Sequence, residues 1–127
     1  MIGRHGAEDW VRRYIAAWTS NQPADIDALF TSDAIYRPTP FSDGWNGRAA
    51  IRDEWLARRD EPDTWTFEWE LIAADGDVGV VQARTMYRDP AHEYSNIWVV
   101  RFDEDGRCRE FTEWWVERGQ PDPGQPA

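Results

Sequence analysis

The sequence predicts an α+β fold in which helices come first and an antiparallel sheet follows. Two observations carry this. Apolar residues recur at three- and four-residue spacing through most of the first sixty positions, and they alternate with polar ones from Trp65 onward. A third concerns the turns: Asp-Gly pairs at 75–76 and 105–106 separate the alternating runs, as hairpin connections do. Helices gathered on one face of such a sheet make an α+β domain.

Taken in order, "AEDWVRRYIAAWTSN" places Trp10, Val11, Tyr14, Ile15 and Trp18 on one helical face, with Glu8 and Asp9 expected in a first turn that favours acids. "PADIDALF" reads as a short helix opened by Pro23. "DAIYRPTPFSDGWNG" is a short strand running into a Pro- and Gly-rich loop, with Asp33 turning the chain into that strand. Helical spacing returns in "RAAIRDEWLARRD" through Ile51 and Trp55. Four long strands complete the plan: "WTFEWEL", "VGVVQARTMY", "YSNIWVVRF" and "CREFTEWWVE". The tail over residues 120–127 is Pro-rich without large apolar groups and is expected to be disordered, leaving a single domain over residues 1–119.

The chain has 127 residues, nine of them tryptophan, which is aromatic mass suited to a cavity wall as well as to a core. The net charge is −10, and all fourteen bases are arginine. Such a chain repels phosphate backbones, so no nucleic-acid partner is expected. No run reaches membrane-spanning length, nothing at the N-terminus resembles a signal peptide, and the one cysteine, Cys108, has no partner for an internal disulfide. The expectation is a soluble cytoplasmic protein. No His, Cys or Asp spacing suggests a metal, and no phosphate loop or nucleophile elbow appears. His92 is expected in a surface loop and His5 in a frayed terminus.

The last hairpin locates a candidate acid. A two-residue Asp105-Gly106 loop sets Trp98 opposite Glu113, Val100 opposite Phe111, Asn96 opposite Trp115 and Arg101 opposite Glu110. An unbulged three-residue loop would reverse the faces. One face then carries Tyr94, Asn96, Trp98, Val100, Phe102, Phe111, Glu113 and Trp115, and its aromatic weight assigns it to the helices. Glu113 therefore faces inward. The earlier hairpin leaves two arrangements open: a plain Asp75-Gly76 loop points Arg84 inward as a counter-charge for Glu113, and a bulge sends it to solvent. On the outer face Ile97, Val99, Thr112, Trp114 and Val116 form an apolar patch that fits a symmetric homodimer.

"RYIAAWTSNQPADIDALFTSDAIYRP", "GRAAIRDEW" and "IWVVRFDEDGRCREFTEWW" together resemble the nuclear-transport-factor-2-like superfamily, in its SnoaL-like and ketosteroid-isomerase-like branch. The resemblance runs from about Asp9 to Glu117 and implies a cystatin-like roll, a curved antiparallel sheet wrapped around three helices into a cone with an apolar pocket. It also implies dimerisation through the sheet. The helix-one tyrosine of the steroid isomerases corresponds to Tyr14, an enolate-directed donor. Their general-base position falls on Pro38, their second, carboxylic donor on Trp98, and the tyrosine supporting the helix-one tyrosine on Trp55. Steroid isomerisation by those groups is thereby disfavoured. The Glu113 position is usually small in those isomerases, so a carboxyl group has in effect moved one strand over.

Two readings of Glu113 follow. Burial among Trp98, Phe111 and Trp115 without a cation would raise its pKa and make it an acid or base, with Tyr14 donating to a substrate oxygen. Alternatively it is fully hydrogen-bonded to Arg84, Asn96 or a tryptophan N–H and is structural. The expected ligand is small and hydrophobic or aromatic, with no cofactor, lined by Trp18, Phe30, Tyr36, Trp45, Trp55, Trp69, Asn96, Trp98, Phe111 and Trp115. Cofactor-free isomerisation, cyclisation or dehydration is one outcome; ligand storage or dimerisation without catalysis is the other.

Overall fold

A computed structural model describes residues 2–124. Helix α1 (Gly3–Ser20), α2 (Pro23–Asp27) and α3 (Arg48–Ala57) pack on one face of a six-stranded sheet. The strands are β1 (Phe30–Arg37), β2 (Trp45–Asn46), β3 (Trp65–Asp75), β4 (Val78–Arg88), β5 (Ala91–Phe102) and β6 (Cys108–Glu117). The expected α+β roll is the observed fold, and β3 to β6 form the expected antiparallel meander. The full sheet is mixed, because β1 lies parallel to β6 and carries β2 at its edge, in the order β2-β1-β6-β5-β4-β3. No turn connects β1 to β6, so no local signal in the chain announces that pairing.

Two features of the helices differ from expectation. Helix α1 begins at Gly3, so Glu8 and Asp9 fall past its first turn and pair along the helix with Arg4 and Arg12 instead. His5 accordingly stands on an ordered helix rather than in a frayed end. Beyond Glu117 the described residues carry no helix or strand, and the last three positions of the expected tail lie outside the described residues.

The core forms where α1 crosses the sheet. Trp10 is fully buried, donates Nε1–H to the Leu29 carbonyl at 2.9 Å, and meets Phe30 and Phe102 edge to face. That bond satisfies the one polar atom of an otherwise apolar body, which is what allows an indole to be buried completely. Gly79 admits this packing: a Cβ there would press within 3.3 Å of Ala7 on α1.

Both hairpins use bulges. Phe102 pairs with Cys108, so the last loop is a three-residue Glu104-Asp105-Gly106 turn with Gly106 at φ 78. A bulge beside Arg101 and Phe102 then restores the register, and Trp98, Val100, Asn96 and Arg101 meet Glu113, Phe111, Trp115 and Glu110. In the first hairpin the turn is Gly76-Asp77, with Gly76 at φ 60, and the bulge falls between Leu71 and Ala73. This sets Phe67 and Trp69 beside Thr85 and Ala83 and sends Arg84 outward. There Arg84 meets Glu93 at 3.0 Å and Glu68 at 3.9 Å. The bulge thus settles the question left by the sequence, and among the described residues Glu113 has no arginine partner.

Candidate functional site

The sheet and helices enclose a cavity of about 720 Å³, large enough for a drug-sized molecule. Glu113 lies on its wall, placed there by the β5–β6 register. Its Oε2 accepts two hydrogen bonds, from Asn96 Nδ2 at 2.7 Å and from Trp98 Nε1 at 3.1 Å. The Asn96 amide cannot turn round without loss, because its Oδ1 accepts from the Thr85 hydroxyl at 2.9 Å. A chain of bonds from Thr85 through Asn96 thus holds the carboxyl group from three adjacent strands. Oε1 receives no protein hydrogen bond among the described residues. Burial pushes the Glu113 pKa up, and the Trp98 and Asn96 donors offset only part of that rise.

A pair of tyrosines stands alongside. Tyr14 on α1 and Tyr36 on β1 bring their hydroxyls within 2.8 Å. Burial holds both phenols well above their ordinary range, the neighbouring hydroxyl and the Glu113 charge add to the rise for Tyr14, and Glu113 adds to it for Tyr36. Both therefore remain protonated near neutral pH. Two hydroxyls carry two protons, and only one lies between them. The other remains available to an oxygen in the cavity.

Positions matched to the steroid-isomerase pattern acquire different work here. Trp98 occupies the place of a carboxylic donor and donates its N–H to Glu113. Trp55 packs on Tyr14 at 4.8 Å between centroids, and Tyr36 rather than Trp55 supplies the partner hydroxyl. Pro38 contributes only surface to the wall.

Of the residues expected to line the cavity, Trp18, Tyr36, Trp45, Trp55, Asn96, Trp98 and Trp115 do so. Phe30 and Phe111 do not. Both are completely buried, and Phe111 stacks beneath Tyr36 and Tyr14 as the layer supporting the floor. Trp69 is also absent from the wall, and the Arg12 guanidinium lies 5.8 Å from its ring centroid. Strand alternation told which way these rings point but not how deep along the cone they sit.

The sequence reading missed the mouth. Arg58, Arg59, Asp60, Glu61 and Thr64 arrive from the α3–β3 connection, and Tyr87, Asp89, His92 and Tyr94 from the β4–β5 hairpin. That hairpin turns on Asp89-Pro90 alone, so His92 belongs to β5 and not to a loop. Its ring stacks on Tyr87 at 4.6 Å, and its Nδ1 lies 2.6 Å from the Pro90 carbonyl. A bond there requires Nδ1 to carry a proton. Asp60 Oδ2 accepts from Trp18 Nε1 at 3.0 Å and from the Tyr87 hydroxyl at 3.1 Å. Among the described residues no group of three or more His, Cys, Asp or Glu is placed to hold a metal, and no helix is long and apolar enough to cross a membrane.

Fold and cavity define an α+β cone closed around an aromatic chamber. The family model for the SnoaL-like domain matches residues 11–111, and the chain belongs to that family. No curated protein sequence matches it significantly. Among solved structures, it is similar to an NTF-2 like protein of Burkholderia xenovorans at TM-score 0.74 and 12% identity, covering 97% of this chain and 92% of that one. It is similar to SalBIII, an epoxide hydrolase/cyclase-like enzyme of pyran ring formation in the polyether salinomycin, at TM-score 0.73 and 20% identity, covering 91% and 95%. An LEH-like epoxide hydrolase of M. tuberculosis follows at TM-score 0.63 and 16% identity, covering 88% and 84%. At these identities the likeness is one of fold.

Proposed function

We propose that this protein binds a small molecule with a hydrophobic or aromatic body and moves a proton on it without a cofactor, in an isomerisation, cyclisation or dehydration. The observation that carries the reading is the state of Glu113: one oxygen fixed by two neutral donors, and, among the described residues, no donor to the other and no cation beside it. A carboxyl group so held has its lone pairs aimed, and burial shifts its pKa upward, making it a stronger base than an ordinary glutamate and so better able to take a proton and return it. In this reading Glu113 removes a proton from carbon beside a carbonyl, a hydroxyl of the Tyr14–Tyr36 pair donates to the oxygen that gains charge, and Glu113 returns the proton at a second carbon. The same two groups suit ring closure, in which Glu113 takes the proton of an attacking hydroxyl, its oxygen bonds to carbon as the C–O bond to the leaving oxygen breaks, and a tyrosine hydroxyl protonates that leaving oxygen. Two of the similar folds bear names for epoxide chemistry, which supports reactions of this class.

We also propose a homodimer through the outer sheet face. Ile97 and Val99 lie beside Trp114 and Val116, which are 43% and 59% exposed, and charges of both signs flank them (Arg84, Glu93 and Arg118 at one end, Arg101 and Glu110 at the other). A patch with both signs at its rim can meet a second copy of itself across a two-fold axis.

The test has two parts. Titration of the Glu113 carboxyl carbon by NMR should give a midpoint above the ordinary glutamate value, and small aromatic ketones should raise the melting temperature of the wild type. Glu113→Gln should keep that ligand-induced rise while losing proton exchange at the ketone's α-carbon. An ordinary midpoint for Glu113, or unchanged exchange in Glu113→Gln, would remove the catalytic reading.

A further inference from the structure

The mouth of the cavity repeats the arrangement found at Glu113. Asp60 is held through Oδ2 by an indole N–H and a neutral hydroxyl, from Trp18 and Tyr87, and its Oδ1 receives no hydrogen bond among the described residues. No arginine or histidine nitrogen lies within 4.0 Å of it among those residues, although two arginines precede it in the chain. Arg58 pairs with Glu54 and lies over the Trp45 ring at 5.4 Å, and Arg59 donates to the Leu56 carbonyl at 3.2 Å. A carboxylate held by neutral donors, with a free oxygen and no counter-charge, is preorganised for a cation that the protein itself does not supply.

The surroundings favour an organic cation. Tyr94 and Trp115 add aromatic surface to the same cavity, while Trp18 and Tyr87 present their polar edges to the carboxylate and have one face each covered by Trp65 and His92; exposed ring faces attract a desolvated ammonium group. Glu61 and Asp89 line the cavity too without ion-pair partners among the described residues, opposite in sign to Arg58 and Arg59 on the same wall, and the chain's net charge of −10 adds a negative field. We infer that the molecule taken by this cavity carries a protonated amine, seated against Asp60 at the mouth, with its apolar body directed inward to Glu113. This rests on the reading of the cavity as a small-molecule site and narrows it to amine-bearing compounds.

The bland alternative is that Asp60 merely ties the α3–β3 connection to α1 and β4. Three soluble probes of similar size separate the two: 2-phenylethylamine, 2-phenylethanol and 3-phenylpropanoate, titrated at pH 7 in low salt. The amine should bind about tenfold or more tightly than the alcohol, and the carboxylate more weakly than either. Asp60→Asn keeps an oxygen for Trp18 and Tyr87. It should lower amine affinity about tenfold, leave alcohol affinity unchanged and leave the melting temperature near that of the wild type. Should that variant not fold, added NaCl on the wild type provides the second reading, weakening the amine and not the alcohol. Equal binding of amine and alcohol, or an equal loss of both in Asp60→Asn, overturns the amine assignment and leaves the cavity reading intact. Binding of none of the three overturns both.

Discussion

Glu113 and Glu93 stand on the same β5–β6 ribbon, one on each face, and their surroundings are opposite in kind. Glu113 looks into the cavity, accepts hydrogen bonds among the described residues only from the neutral Asn96 and Trp98, and has its pKa raised by burial. Glu93 looks outward, bonds to Arg118 at 3.1 Å and Arg84 at 3.0 Å, and is held below its ordinary value chiefly by the Arg118 hydrogen bond. The residue type is the same. What differs is which face the bulged hairpins deliver to the arginines: the Leu71–Ala73 bulge turns Arg84 outward, giving Glu93 its partner and denying Glu113 one.

The contrast between faces can be broken most severely by removing the layer under the cavity. Phe111→Ala deletes a fully buried ring that supports both tyrosines and should cost about 3–5 kcal/mol in denaturant unfolding. Trp114→Glu, three residues away on the outer face, should leave the fold in place and convert the proposed dimer to a monomer in sedimentation equilibrium; an unchanged dimer would assign the interface to another surface, and a monomeric wild type would remove the dimer proposal.

The two glutamates give smaller effects, distinguishable by sign. The folded-state pKa of Glu113 is raised, so the stability it contributes is complete at low pH and is lost as pH rises through the folded value. Glu113→Gln should therefore melt above the wild type at pH 7, with the gap closing as the pH falls toward the ordinary glutamate range. For Glu93 the folded value is depressed, so its contribution is present above the ordinary value and lost as pH falls. Glu93→Gln should melt slightly below the wild type at pH 7, the smallest change of the series because the site is solvent-screened, and match it in acid. Thermal scans of both variants at several pH values check the pair; shifts of the same sign would dissolve the contrast.

How much of this could be read in the chain follows from which signals are local. The β5–β6 register was legible because a turn pair, an Arg101–Glu110 match and one-sided aromatic weight all agree. The real loop is one residue longer than expected, and a bulge compensates, so the facing residues are the same. The side taken by Arg84 was not legible, since a bulge is a one-residue event without a distinctive residue in "ELIAAD". Nor was depth along the cone: Phe111 and Trp115 share a face, yet one is sealed and the other is 46% exposed at the rim. The mouth escaped notice because Asp60, Tyr87 and Trp18 converge from three separate elements. The Tyr14–Tyr36 pair depends likewise on how α1 crosses β1, which spacing along either element does not state.

The position of β6 has a consequence for folding of the molecule. The sixth strand is not at an edge but is inserted between β1 and β5, where Arg37 on β1 meets Glu110 on β6 across 73 positions of chain. Without β6 the remaining strands fall into two pieces, β2–β1 and β5–β4–β3, each with an unpaired backbone edge facing the gap. Joining them needs pairing between residues far apart in the chain, and such long-range strand insertion is the slow kind of step. The acid enters the chamber in the same movement that seals the sheet.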